Sequence, residues 1–334
     1  MITPQLLPPF PNGWYCLGLS RELQAGGLRT LNFMGQELIL FRTQPGEVCV
    51  MDAYCPHLGA HLGYGGTIQG EVVRCPFHGF CYDTQGNCTF VPYGTKAPPK
   101  ARARVWPVRE AHGLILAYYD AEGQAPQWRV PDVDTAGWSQ LIVKTWSLRG
   151  HPQETTENSV DTGHFSAIHG YTSVAMMKAL ESDGPYLNIR YAADRPAGLF
   201  GQTVRAEFGI HVYGLGYSLV EAFVPRFEIR SRLFVLATPT DGEHITLRVA
   251  LSLCQATRPG RIHPLLGLAP PSIINPLIAR AAFAGFVHDV QQDFVIWQHK
   301  RYVQPPILAQ GDGPVGKYRQ WAKQFYGGAD AARV

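Results

Sequence analysis

The stretch Tyr54-Cys55-Pro56-His57, continued by Cys75-Pro76-Phe77-His78-Gly79, places two cysteines and two histidines in a pair of short hooks. The pattern is C-x-H, seventeen residues, then C-x-x-H. Two thiolates and two imidazoles converging on one point suit either tetrahedral zinc or a [2Fe–2S] cluster, and ligand identity alone does not separate the two. Zinc modules usually pair like ligands inside one C-x2-4-C knuckle. Each hook here supplies one cysteine and one histidine. That suits a cluster in which one iron takes both cysteines and the other both histidines. Gly59, Gly63, Gly65, Gly66 and Gly79 surround the hooks, so backbone can approach the sulfurs closely and donate hydrogen bonds to them.

Working outward, five of the seven cysteines fall between Cys49 and Cys88. An odd, modest number of cysteines fits a reducing compartment rather than a disulfide framework. Cys16, Cys49, Cys81, Cys88 and Cys254 read as thiols packed in or near the core. His61 lies off the hook spacing and reads as structural. Around the hooks, Leu38-Ile39-Leu40-Phe41, Val48-Cys49-Val50 and Leu114-Ile115-Leu116-Ala117-Tyr118 are short apolar runs between Gly and Pro turns, the signature of strands. They predict an antiparallel β domain over residues 10–122, with a boundary in Glu122-Gly123-Gln124-Ala125-Pro126 and a second domain over 123–334.

The hook sequence, with Tyr82-Asp83-Thr84-Gln85-Gly86 after it, resembles the Rieske family. Respiratory members carry an extra cysteine in each hook, joined as a disulfide. Ala60 and Phe77 stand at those positions here, so the resemblance is to the ferredoxin and oxygenase types. It implies a Rieske [2Fe–2S] cluster on Cys55, His57, Cys75 and His78.

The chain has 334 residues, 46% of them apolar, with 29 Lys+Arg against 26 Asp+Glu. It is long enough for one large or two ordinary domains, and too apolar and aromatic to be disordered. A net charge of +3 without blocks of like charge argues against a nucleic-acid partner. The most apolar segment, Pro264 to Val287, is interrupted by Pro270, Pro271, Asn275, Pro276 and Arg280. It predicts helices near a pocket mouth rather than a membrane contact. Met1-Ile2-Thr3-Pro4 lacks a leader's basic and apolar regions, so the expected location is cytoplasmic.

The second domain carries its own metal pattern. Asn158-x-x-Asp161-x-x-His164-x4-His169 offers two histidines, and two histidines with one carboxylate form the facial triad that holds non-haem Fe(II). Asn158, Asp161 and His164 are three apart and predict one shared helix face. His164 and His169 are five apart and would diverge on a regular helix, which predicts a π-bulge or helix break near Gly163 to Ala167. The third ligand must come from elsewhere. Asp289, Asp293 and Trp297 form one stripe at helical spacing, and either aspartate can be presented to a site beneath it. Asp293, flanked by Val290, Phe294 and Trp297, is costly to bury without a cation. Asp289, a turn earlier, reads as solvated.

Together the two halves resemble the oxygenase component of a Rieske non-haem iron oxygenase. The stretch Gln292 to Trp297, with Lys300-Arg301-Tyr302, Gly311-Asp312-Gly313-Pro314-Val315, Tyr318-Arg319-Gln320-Trp321 and Gln324-Phe325-Tyr326, is similar to the 3-ketosteroid 9α-hydroxylase and cholesterol 7-desaturase branch. That similarity selects Asp293 as the third iron ligand. It implies an α+β fold: the Rieske domain, then a helix-grip (START-like) catalytic domain with a curved antiparallel sheet. It further implies O2 as co-substrate and NAD(P)H electrons delivered by a ferredoxin or flavin reductase. A homotrimer is implied too, with Asp161 bridging a cluster histidine, by the motif His78, to an iron histidine of the neighbouring subunit. Asn158 matches a residue beside the iron. Leu233 to Ala237, a turn at Asp241-Gly242, and Ile245 to Ala250 predict a hairpin whose inner face lines an apolar pocket for a hydrophobic, steroid-like substrate. Three alternatives stand beside hydroxylation: a related oxidation on the same scaffold (desaturation, demethylation, cyclisation), a non-catalytic electron carrier, and a zinc protein.

Overall fold

The computed structural model describes residues 7–94, 96–197, 202–255, 259–262, 264–327 and 330. The apolar run at 38–41 forms the strand Gln36–Arg42, fully buried from Leu38 to Phe41. It pairs antiparallel with Leu28–Phe33 and Val48–Asp52, and Val105–Trp106 completes a four-stranded sheet. A second small sheet of Thr67–Gln69, Val72–Arg74, Cys81–Tyr82 and Cys88–Phe90 lies between and beside the hooks. In a third, Leu114–Tyr119 pairs with Gly13–Leu19 on one side and Val108–Ala111 on the other. Trp14, Leu116 and Tyr118 of this third sheet share a core with Tyr217, Leu219 and Phe234 of the C-terminal half. The two halves are therefore cemented by apolar burial rather than joined by a bare linker.

The C-terminal half is a seven-stranded antiparallel sheet in the order Ile142–Arg149, His244–Leu253, Ile229–Pro239, Tyr217–Val224, Gln202–Tyr213, Tyr186–Ala197 and Thr172–Asp183. The predicted hairpin is present, with Ser231 to Pro239 paired against Leu253 to Ile245. The first strand and the far-edge strand are consecutive in sequence. The segment between them, which carries helices α1 (Pro152–Glu157) and α2 (Thr162–Ala167), therefore crosses from one edge of the sheet to the other. Helices α3 (Pro271–Gln292) and α4 (Phe294–His299) cover the sheet, with Val287, Val290 and Trp297 packed on Leu148, Leu247 and Val249. This is the expected helix-grip arrangement.

Helix α3 departs from the sequence reading in one respect. Pro270 and Pro271 start it and Pro276 lies within it, so the prolines shape the helix without dividing it. Pro271–His299 is the one span among the described residues long and apolar enough to cross a membrane by length and composition. Its Val287, Val290 and Trp297 are spent on the protein core.

Helix α5 (Val315–Ala322) locks the metal-bearing segment from behind. Arg319 grips Glu157 with two parallel hydrogen bonds, Nε to Oε2 at 2.7 Å and Nη2 to Oε1 at 2.9 Å. The Tyr318 hydroxyl donates to the Gln153 carbonyl at 2.6 Å. Buried charge is tolerated here because each group is met by an opposite one.

One local expectation is corrected and another is narrowed. Asn158, Asp161 and His164 do not share one helix face: Asn158 is the C-cap of α1, and Asp161 is the N-cap of α2, accepting a hydrogen bond from the His164 amide at 3.2 Å. Of the two alternatives expected near Gly163 to Ala167, the helix break is the one observed, without a π-bulge. Helix α2 is a short regular helix that stops at Ala167, and His169 lies in the turn beyond it. The divergence foreseen between the two histidines is thus removed by ending the helix rather than by distorting it.

Candidate metal centres

The two hooks are near copies in backbone terms. The Cys55 amide donates to the Ala60 carbonyl and the Cys75 amide to the Phe80 carbonyl, both at 2.8 Å. The Gly59 and Gly79 amides return to the carbonyls of Cys55 and Cys75 at 2.9 and 3.1 Å. Closing each loop puts its glycine at positive φ, +75° and +69°, where a side chain is disfavoured. Burial raises the Cys75 thiol, while the amides of Phe77 and His78, hydrogen-bonded to its sulfur, favour the thiolate. Across the hooks like meets like. Cys55 and Cys75 lie side by side in the core, and the His57 and His78 rings face each other at 4.8 Å with planes 75° apart. The Tyr82 hydroxyl lies 3.1 Å from the Cys55 sulfur, and His57 stacks on buried Phe80 at 4.3 Å. A paired-thiol side and a paired-imidazole side fit a two-iron cluster better than one tetrahedral ion. Among the described residues, the one cluster of ligand side chains tight enough for a single ion lies elsewhere.

That cluster is His164, His169 and Asp293, whose ligand atoms lie within 4.8 Å of one another. The His169 Nε2 is 3.7 Å from Asp293 Oδ2, and the two imidazole rings are 5.0 Å apart. Each ring is oriented through Nδ1: His164 on the Asp161 carbonyl at 2.5 Å, and His169 on Gln292 Oε1 at 2.9 Å. An acceptor at Nδ1 fixes the tautomer that leaves Nε2 free for a metal. Burial lowers His164 to about 4, keeping it neutral and ligand-competent. Burial pushes Asp293 up to about 6, opposed by His169 and by a hydrogen bond from Asn158. A buried carboxylate with two neutral imidazoles in reach fits a divalent cation, and the donor set fits Fe(II).

Asp293 owes its position to a helix break, being the residue at which α3 ends and α4 begins. Gln292, quoted in the sequence motif but given no role there, emerges as the partner of His169. Its place directly before Asp293 was the available signal. Asp161 has one oxygen engaged in capping α2, and no hydrogen bond or ion pair joins it to His78 within the chain. Asp289 is not solvated as expected: it is ion-paired to Arg195 and accepts the Tyr171 hydroxyl.

His164, His169 and Asp293 open into a cavity of about 450 Å³ between the sheet and α3, lined by side chains such as Phe208, Ile210, Val235, Leu251 and Phe286. That volume and lining suit a small apolar molecule.

Comparison with known proteins agrees with this geometry. Residues 13–107 match the Rieske [2Fe-2S] domain, and residues 117–326 match the 3-ketosteroid 9alpha-hydroxylase C-terminal domain. The oxygenase component of a 3-ketosteroid-9-alpha-monooxygenase from Rhodococcus rhodochrous is 30% identical over 330 residues, covering 95% of this chain and 83% of its own. A cholesterol 7-desaturase from Drosophila melanogaster is 30% identical over 350 residues, covering 96% and 76%. Among solved structures, Pseudomonas putida NdmA with caffeine superposes with a TM-score of 0.69 at 18% identity, over 93% of this chain and 89% of that one. Dicamba monooxygenase bound to dicamba gives 0.66 at 18%, over 94% and 96%. The chain belongs to the Rieske oxygenase family, as an O2-dependent terminal oxygenase component that uses a [2Fe–2S] cluster and a mononuclear iron and carries a C-terminal domain of the 3-ketosteroid 9α-hydroxylase type.

Proposed function

We propose that this chain hydroxylates an unactivated C–H bond of a hydrophobic, steroid-like molecule, with residues 10–122 as the electron-accepting unit and 123–334 as the catalytic unit. In this reading Cys55 and Cys75 hold one cluster iron, His57 and His78 the other, and His164, His169 and Asp293 hold the mononuclear iron. The observation that carries it is the opening of that three-ligand group into the apolar cavity. When bound, the cluster supplies electrons singly and the mononuclear iron activates O2 against the substrate. The protein's own part is preparation. The Asp161 carbonyl and Gln292 set the imidazole tautomers, Asn158 steadies the Asp293 carboxylate, and the apolar walls keep bulk water from the reacting carbon. A relative named as a cholesterol 7-desaturase favours desaturation as the second reading.

Electrons come from a ferredoxin or flavin reductase. Asp161, whose carboxylate caps α2, relays them in a homotrimer by bridging His164 to His78 of the partner subunit; the expected location is the cytoplasm. Anaerobic single-turnover mixing tests the relay: Asp161→Asn should keep both metals yet slow cluster oxidation at least about 100-fold, and wild-type oxidation rates in that variant would refute it. Product analysis with steroids and other polycyclic substrates, a generic reductase and NADH tests the activity. A hydroxylated steroid supports the reading, an added double bond supports the second one, and NADH consumption without any product counts against both.

A further inference from the structure

Among the described residues, the charged ones lining the cavity, apart from Asp293, are Arg195 and Asp289. Arg195 comes from the strand Tyr186–Ala197 and places Nη2 2.7 Å from Asp289 Oδ2, one helical turn before Asp293 on α3. The Tyr171 hydroxyl donates to the same oxygen at 2.9 Å. The guanidinium lies against a bare patch of α3: a Cβ on Gly285 would sit 3.0 Å from Arg195 Nη2. Two polar features are left over. Nε and Nη1 of Arg195 have no protein acceptor, and Oδ1 of Asp289 has no protein donor, among the described residues.

A partly exposed salt bridge such as this one contributes little to stability, because solvent screens its attraction. The sheet and α3 are already held together by Val287, Val290 and Leu247. What the pair does supply is a donor and an acceptor inside an apolar cavity. Its charges cancel, so an anionic ligand would meet Asp289 and Asp293 without a free counter-charge, and a cationic one would meet Arg195. A neutral oxygen has neither problem. A ketone can accept from Arg195, and a hydroxyl can accept from Arg195 and donate to Asp289.

We propose that Arg195 and Asp289 determine specificity by recognising a neutral hydroxyl or ketone oxygen on an otherwise apolar polycyclic substrate. The proposal rests on the cavity being the substrate site, as argued above. Sites built to hydrogen-bond an oxygen reject analogues that lack it far more strongly than apolar walls reject shape changes.

The test measures anaerobic binding to the holoprotein by calorimetry, using 5α-androstane, its 3β-alcohol and its 3-ketone as probes. The wild type should bind the two oxygenated probes about 10- to 100-fold more tightly than the hydrocarbon. Arg195→Met should collapse that ratio to within about twofold of unity, and Arg195→Lys should restore part of it. Gly285→Ala, which displaces the guanidinium without removing it, should also lower the ratio and carries the test if Arg195→Met does not fold. A ratio unchanged in these variants, even with a lower melting temperature, would reduce the pair to a structural clasp and overturn the proposal. Equal binding of all three probes by the wild type would overturn it while leaving the cavity reading intact. No binding of any probe would overturn both.

Discussion

The cluster hooks and the mononuclear site hold their ligands by different means. Both hooks lie within Cys55 to Phe80, and each ligand's position follows from its own loop: the same two backbone hydrogen bonds and the same left-handed glycine recur in both. The residues proposed to hold the mononuclear iron come from the end of one short helix, the turn beyond it, and the junction of α3 with α4. Their geometry depends on how those helices are pinned to the sheet and to α5. A local centre withstands changes far away in the fold, whereas one assembled from distant segments inherits every weakness of the packing behind it.

The sharpest way to break that comparison is to remove one ligand from each centre. His164→Ala should abolish turnover and leave the cluster spectrum intact, while Cys75→Ser should abolish the spectrum and leave the mononuclear site able to bind a divalent ion. Electron paramagnetic resonance and visible absorption read both outcomes, and loss of the cluster in His164→Ala would join what is separated here.

Next in size is the support from α5. Arg319→Met leaves Glu157 buried with only Lys300, 3.9 Å from its Oε1, as a counter-charge. The expected cost is about 3 kcal/mol, softened by that lysine, and should appear as a lower melting temperature. Heating should release mononuclear iron before the cluster colour fades; simultaneous loss would show that the hooks depend on the same packing.

A smaller effect comes from Asp293 through pH. Its folded-state carboxyl is raised to about 6, above the range of an unfolded carboxylate. In the metal-free protein its ionisation therefore opposes folding: the penalty is absent below about pH 4, grows through pH 6 and is complete above it. Asp293→Asn should stabilise the metal-free protein by about 1–3 kcal/mol at pH 7 and by less at pH 5. His164, lowered to about 4 by burial, acts in the opposite sense as pH falls. Fe(II) affinity should fall as pH drops below about 6, because the carboxylate must lose its proton to bind. Melting curves at the two pH values and metal titrations check both statements.

The smallest expected effect tests the hooks alone. Tyr82→Phe removes the hydroxyl beside the Cys55 sulfur. A donor there favours the electron-rich reduced cluster, so its loss should lower the potential by about 40 mV, with turnover geometry unchanged. Protein-film voltammetry would show it, and an unchanged potential would mean that the hydroxyl donates elsewhere.

The same difference governs what could be read from the sequence. The hooks were legible because ligand spacing, glycines and flanking strands all lie in one stretch. The strands around Leu38 and Leu114, and the hairpin at Asp241-Gly242, were legible because their apolar runs are short and bounded by turns. The mononuclear ligands were legible as residue types, with the choice of Asp293 over Asp289 resting on family resemblance. Their geometry was legible in part: the spacing of His164 and His169 called for a break near Ala167, where α2 stops, but spacing alone cannot show that α1 ends at Glu157. The contacts of Arg195 and Tyr171 with Asp289 join three elements distant in sequence, and no local pattern announces them. The proline-bearing stretch before Val287 looked broken because proline is costly inside a helix. Two of its prolines instead mark where α3 begins.

Iron counting after anaerobic reconstitution tests the central claim most directly. Three irons per chain are expected, falling to two in a His164→Ala, His169→Ala double variant that keeps the cluster spectrum. Two irons in the unaltered protein, with no further loss in the double variant, would contradict a second iron site.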